Sequence, residues 1–190
     1  MGSLNGTFIH IPKTGGKTIR TALRHHFTRR CGKHHTALSV LSEYTEMLDH
    51  PVIASIRNPW ERVWSTYSYT KMLKTHKMSF ADWLSNPKVN NWQFRHFDDI
   101  GGLNRSPLSL ESWVCDENGN ELVTDYINFY NIEDGISRLS SKYGVELNYK
   151  HIKHSTDGMG SGYKNHYNTE TKEYVGKICS WEIEKFKFKF

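Results

Sequence analysis

The run Thr7-Phe8-Ile9-His10-Ile11 followed by Pro12-Lys13-Thr14-Gly15-Gly16-Lys17-Thr18 most limits the folds open to this chain. A short apolar run leads into a loop with two adjacent glycines. Beyond it, from about Lys17 to Thr28, Ile19, Ala22, Leu23 and Phe27 recur at helical spacing, so the order is strand, glycine loop, helix. The pattern then returns. A helix is expected from about Thr36 to Met47, and His50-Pro51 leads into Val52 to Ile56, short and apolar but for Ser55, as strands buried on both faces of a parallel sheet tend to be. Arg57 stands at the carboxyl end of that strand. Asn58-Pro59-Trp60-Glu61 marks a helix start, with Asn as cap, Pro at the first helical position and Glu closing a capping box, and the helix is expected to reach about Leu73. Two strand-to-helix passages in succession predict a mainly parallel α/β sheet flanked by helices. Its ligand belongs at the carboxyl ends of the strands, where both loops fall.

The remaining chain continues the alternation. Ser79-Phe80-Ala81-Asp82 caps a short helix, and Asp116 to Asn120 reads as a hairpin tip between Trp113-Val114 and Leu122-Val123. Tyr126 to Tyr130 is expected as a strand and Ile132 to Tyr143 as a helix stopped by Gly144. His154 to Lys164 is a glycine-rich loop, and a last helix from about Thr169 buries Tyr174, Val175, Ile178 and Trp181. With 190 residues, 37% of them apolar and 24% charged, the chain is expected to form a single domain over 1–190, with residues 1–6 a leader or cloning remnant. That composition excludes a disordered chain, a collagen-like repeat and a coiled coil. Its longest aliphatic stretch falls far short of the roughly twenty residues of a membrane span, and no signal peptide is readable. Cys31, Cys115 and Cys179 are odd in number and form no Cys-x-x-Cys pair, which suits reduced thiols in a cytoplasmic setting. A net charge of +5 suits an anionic ligand without pointing to nucleic acid.

Between a strand and a helix, Pro12 to Thr18 is a phosphate cradle by position: free backbone N–H groups and the positive helix end converge there. The ordinary ATP-type loop wants a glycine where this chain has Ile11, and Lys13 sits unexpectedly early. A kinase also wants an acidic residue at a neighbouring strand end to hold magnesium, whereas Val52 to Ile56 ends in Arg57. Arginine binds a second anion there, and no metal is expected. Arg57 and Ser65, on the second turn of the following helix, can converge on that anion. Two separate anion positions suit a nucleotide phosphorylated at two places.

The segments IHIPKTGGKT and SIRNPWERVWSTYSY together resemble the sulfotransferases that use 3′-phosphoadenosine 5′-phosphosulfate (PAPS), above all the carbohydrate-type enzymes, heparan sulfate sulfotransferases and their bacterial kin. The resemblance implies a three-layer fold of the phosphate-loop type. It implies that Lys13, Thr14, Gly15, Gly16, Lys17 and Thr18 hold the 5′-phosphosulfate while Arg57 and Ser65 hold the 3′-phosphate. Lys17 stands where the family has a small hydroxyl residue. Gly32 to Ala37 is similar to the family segment with a catalytic histidine, which makes His34 the base, with His35 next and His10 or His26 behind them. Phe129 to Glu133 and Glu182 to Phe190 are similar to a recurring strand-to-helix stretch and to the family's ending. Ser161 and Lys164 either close over the nucleotide or are simply solvated, and Trp60 and Trp64 are expected in the core. The implied activity is sulfuryl transfer from PAPS to a hydroxyl or amine of a carbohydrate or small molecule, with Lys13 stabilising the departing phosphate. The competing readings are a phosphate-loop nucleotide kinase and a nucleotide-binding module without turnover.

Overall fold

The computed structural model describes residues 6–23, 36–43, 49–73, 77–86, 106–150, 160 and 162–190. The chain forms two compact units, each discontinuous in sequence: Met1–Arg57 with Trp113–Ile152, and Asn58–Ser112 with Lys153–Phe190.

The first unit is built on a parallel three-stranded sheet: β1 (Thr7–Ile9), β2 (Val52–Ile56) and β3 (Asp125–Asn128), in that spatial order. Thr7 pairs with Val52 and Ile56 with Asn128, so the carboxyl ends of all three strands lie at one edge. Every residue of β2 is buried, which explains why it is apolar but for Ser55. Helix α1 (Gly16–Leu23) follows β1, and α2 (Ala37–Glu43) precedes β2 with Thr36 accepting a bond from the Ser39 amide at 3.1 Å. One continuous core joins Phe8, Ile53 and Ile127 of the sheet to Ile19 and Leu23 of α1 and to Ile136 and Leu139 of the helix after β3. Each such side chain contributes roughly 1.5–3 kcal/mol by leaving water.

The second unit opens with α3 (Pro59–Met72), whose cap is Asn58: its side chain accepts from the amides of Trp60 and Glu61. The same Asn58 donates to the Lys189 carbonyl at 2.8 Å and so anchors the chain's last residues. Ser79 caps α4 (Phe80–Ser85), its hydroxyl accepting from the Asp82 amide at 3.2 Å. Trp64, Tyr67, Phe80 and Tyr167 pack edge-to-face and tilted at 4.9–5.2 Å between ring centres. Trp60 is buried as expected, but Trp64 is half-buried and stacks on His166 at 3.9 Å.

Several expected boundaries shift. Trp113 and Val114 are not a hairpin strand: they end the short helix α5 (Glu111–Val114), and the turn at Asp116–Asn120 is closed by a single bridge between Cys115 and Glu121. Asp116 explains why, since its carboxylate gathers the amides of Asn118 and Asn120 at 2.9 and 2.7 Å and builds a compact loop. The third strand ends at Asn128, where the Asn128 side chain accepts from the Tyr130 amide and turns Phe129–Asn131 into a tight helical turn before α6 (Ile132–Tyr143). Gly144 ends α6 in the left-handed conformation, φ 64°, as expected. The terminal helix is two: α7 (Thr169–Ile178) and α8 (Ser180–Phe186), broken at Cys179. Val175 is buried, Ile178 and Trp181 are half-buried, and Tyr174 is 42% exposed, since the buried side of α7 is set by Thr171 and Val175. Cys115 and Cys179 are buried thiols. Among the described residues no helix is long and apolar enough to cross a membrane.

Candidate functional site

The site is assembled where β1 runs out. The Ile11 amide bonds back to Ile9 O at 3.1 Å, and the chain turns through Lys13, whose φ of 65° is a left-handed conformation that costs an ordinary L-residue about 1–2 kcal/mol. Gly15, at φ 80°, makes the next reversal. The Thr18 and Ile19 amides donate to Gly15 O at 3.1 and 3.3 Å, which starts α1. The amides of Gly16 and Lys17 then stand at the helix entrance, where no intrahelical acceptor exists for them. This is the loop expected from the sequence.

Both glycines are required by close approach. A Cβ on Gly15 would stand 2.8 Å from Ile132 Cδ1 and 3.2 Å from Phe129 Cδ2; one on Gly16 would stand 2.0 Å from His10 Cδ2. His10 is therefore the histidine that the described residues place against the loop. Thr14 is fully buried and its hydroxyl serves the fold: it donates to Ile11 O at 2.7 Å, so in its 2.6 Å contact with Ser55 Oγ the serine must be the donor. What Thr14 offers an anion is thus its backbone amide. Thr18 is buried and Lys17 exposed.

Arg57 stands at the carboxyl end of β2 and reaches the same loop. Its Nη1 donates to the Lys13 carbonyl at 2.9 Å, and its guanidinium carbon lies 4.1 Å from the centre of the Phe129 ring. All three strands thus deliver a group to one edge: the Lys13 loop from β1, Arg57 from β2 and Phe129 from β3.

Ser65 belongs to the second unit, on α3. It is 1% exposed, and its hydroxyl has no hydrogen-bond partner among the described residues. An orphaned buried hydroxyl costs about 1–3 kcal/mol, so such a group calls for an explanation. Lys164 is exposed with its ammonium 5.6 Å from the Phe190 ring centre. His26, His34, His35 and Ser161 lie outside the described residues.

Among the described residues, shifted titrations include Asp125 in the first unit and Glu182 and Cys179 in the second. Asp125 begins β3, at the opposite end of the sheet: burial alone would raise its carboxyl, but hydrogen bonds from Lys142, Tyr143 and Arg138 outweigh that and hold it below the ordinary value of 3.8. In the second unit Glu182 accepts from the Leu110 amide at 2.9 Å and pairs with Arg62 at 3.2 Å; burial pushes its carboxyl up, and the nearby Cys179 thiol up as well. Both clusters bind segments of their own unit together.

Two participants escaped the sequence reading. Ser55 is a polar residue inside an apolar strand, a signal that a partner was waiting for it. Phe129 was read only as the start of the strand-to-helix stretch Phe129 to Glu133, with no place at the site drawn from it. Compared with protein-family models, with curated proteins and with solved structures, the chain matches none.

Proposed function

We propose that this chain is a PAPS-dependent sulfotransferase whose sheet is the centre of a three-layer fold of the phosphate-loop type. The observation that carries the reading is the Lys13 loop: a lysine held in a left-handed conformation at a strand end, beside the open amides of a helix start, with Arg57 bonded to its carbonyl. Backbone strain at a non-glycine residue persists where the surroundings over-determine it, and it gathers at ligand sites. In this proposal the Gly16 and Lys17 amides and the Lys13 ammonium receive the 5′-phosphosulfate. Arg57 reads the 3′-phosphate with planar, charge-assisted donors. Ser65 stays in the proposal on the strength of its own buried, unpartnered hydroxyl.

The chemistry is in-line displacement at sulfur. The acceptor oxygen forms a new S–O bond as the bond from sulfur to the bridging phosphate oxygen breaks, and the electron pair leaves with that oxygen. Lys13 stabilises the charge developing there, and His34, on the family resemblance, takes the acceptor's proton. The acceptor is a hydroxyl or amine of a carbohydrate or small molecule, and the setting is cytoplasmic. The phosphate-loop kinase is the competing reading, and one titration separates them. Adenosine 3′,5′-bisphosphate is expected to raise the melting temperature in EDTA, by linkage of binding to folding. Stabilisation by ATP with magnesium, with none from the bisphosphate, would replace the sulfotransferase by a kinase.

A further inference from the structure

The geometry points to Phe129 as the positioning residue that sets how Arg57 discriminates a 3′-phosphorylated nucleotide from one without that group. The inference rests on the reading of Arg57 given above. One ring touches both halves of the site: its face carries the Arg57 guanidinium, 4.1 Å from the ring centre, and its Cδ2 edge would stand 3.2 Å from a Cβ on Gly15. Arg57 Nη1 donates in the guanidinium plane to Lys13 O at 2.9 Å. An in-plane hydrogen bond fixes the direction of a guanidinium but leaves it free to roll about that bond. The Phe129 ring, with the guanidinium carbon over it at 4.1 Å from its centre, restricts that roll. Both contacts bear on the plane in which a planar fork can meet a phosphate.

Phe129 is itself held. It follows Asn128, whose side chain accepts from the Tyr130 amide at 3.0 Å, and Tyr130 packs edge-on against it at 5.4 Å between ring centres. The turn that ends β3 thereby aims a ring at the end of β2. Filling space beside Gly15 requires only an apolar side chain; orienting Arg57 requires the flat face.

The test uses the full chain and isothermal calorimetry with adenosine 3′,5′-bisphosphate and with AMP. Phe129→Leu and Phe129→Met keep apolar volume and remove the face, and each is expected to narrow the preference for the bisphosphate about twofold to thirtyfold, the span from an exposed to a desolvated cation–π contact. Phe129→Tyr keeps the face and is expected to keep the preference. In an Arg57→Ala background, Phe129→Leu is expected to change the preference no further. Equal weakening of both ligands by the Leu and Met variants would make Phe129 mere filling and overturn the assignment, as would a Leu effect that survives without Arg57. A wild-type chain with no preference for the bisphosphate overturns the functional reading, and this assignment with it. A preference that depends on Arg57 but not on Phe129 overturns this assignment alone.

Discussion

Thr14 and Ser55 pin the loop to the sheet, and the pin can be weighed. Both side chains are fully buried. Thr14 has one proton and gives it to Ile11 O, so the Ser55 hydroxyl donates to Thr14. Ser55→Ala removes that one bond and leaves Thr14 its own, a cost of about 0.5–1.5 kcal/mol. Thr14→Val does more: it deprives the Ile11 carbonyl of a donor and strands the Ser55 hydroxyl in a dry interior, for about 2–4 kcal/mol. The double variant no longer contains the stranded hydroxyl. It should therefore be more stable than the sum of the single effects by about 1–2 kcal/mol. For a chain of this length each kcal/mol is worth about 2–4 °C in Tm. Urea unfolding of the four proteins, followed by tryptophan fluorescence, measures the coupling. Free energies that add to within about 0.5 kcal/mol would refute the pin, because uncoupled sites behave that way.

The strain at Lys13 separates stability from activity: Lys13→Gly is expected to leave Tm unchanged or raise it, since glycine takes φ 65° freely, while turnover in a radiolabelled PAPS assay falls by roughly a hundredfold or more. Glu182→Ala strands the Arg62 guanidinium, 2% exposed, and should cost about 3–5 kcal/mol in denaturant unfolding. The Asp125 carboxyl has a folded value below its ordinary 3.8, so its contribution is complete above that pH and is lost as pH falls through the folded value. Asp125→Asn should accordingly flatten the acid limb of a Tm-against-pH profile below about pH 4 and leave its neutral limb parallel to that of the wild type.

How much of this was legible in the chain follows from the range of each interaction. Val52 to Ile56 and the Asn58-Pro59 helix start were readable because local preferences and burial agree there. The glycine loop was readable for the same reason. Its internal wiring was not: Thr14 and Ser55 are far apart in sequence, and neither residue type names its partner. The strand expected over Tyr126–Tyr130 stopped early because the Asn128 side chain competes for the backbone, an effect that periodicity does not register. The break at Cys179 had no glycine or proline to announce it. Glu182, taken from sequence only as part of a charged ending, proved 1% exposed, since its partners Arg62, Ser109 and Leu110 come from distant stretches.

Among the described residues, Arg62 and Arg57 are both buried and are held in different ways. Arg62 meets a carboxylate, Glu182, and donates to the Leu108 carbonyl; the carboxylate cancels its charge where it sits. The carbonyl of Lys13 and the ring of Phe129 act on Arg57 differently, because neither bears a net charge. They orient the guanidinium at a sheet edge where α1 also presents its positive end. Arg57 is 8% exposed, so its charge stands largely out of water, where an anion is worth more to it than at an open surface. On the proposed reading, the desolvation is met in folding and a phosphate would find the Arg57 donors already oriented. This is the arrangement in which binding energy goes into discriminating the ligand instead of ordering the site.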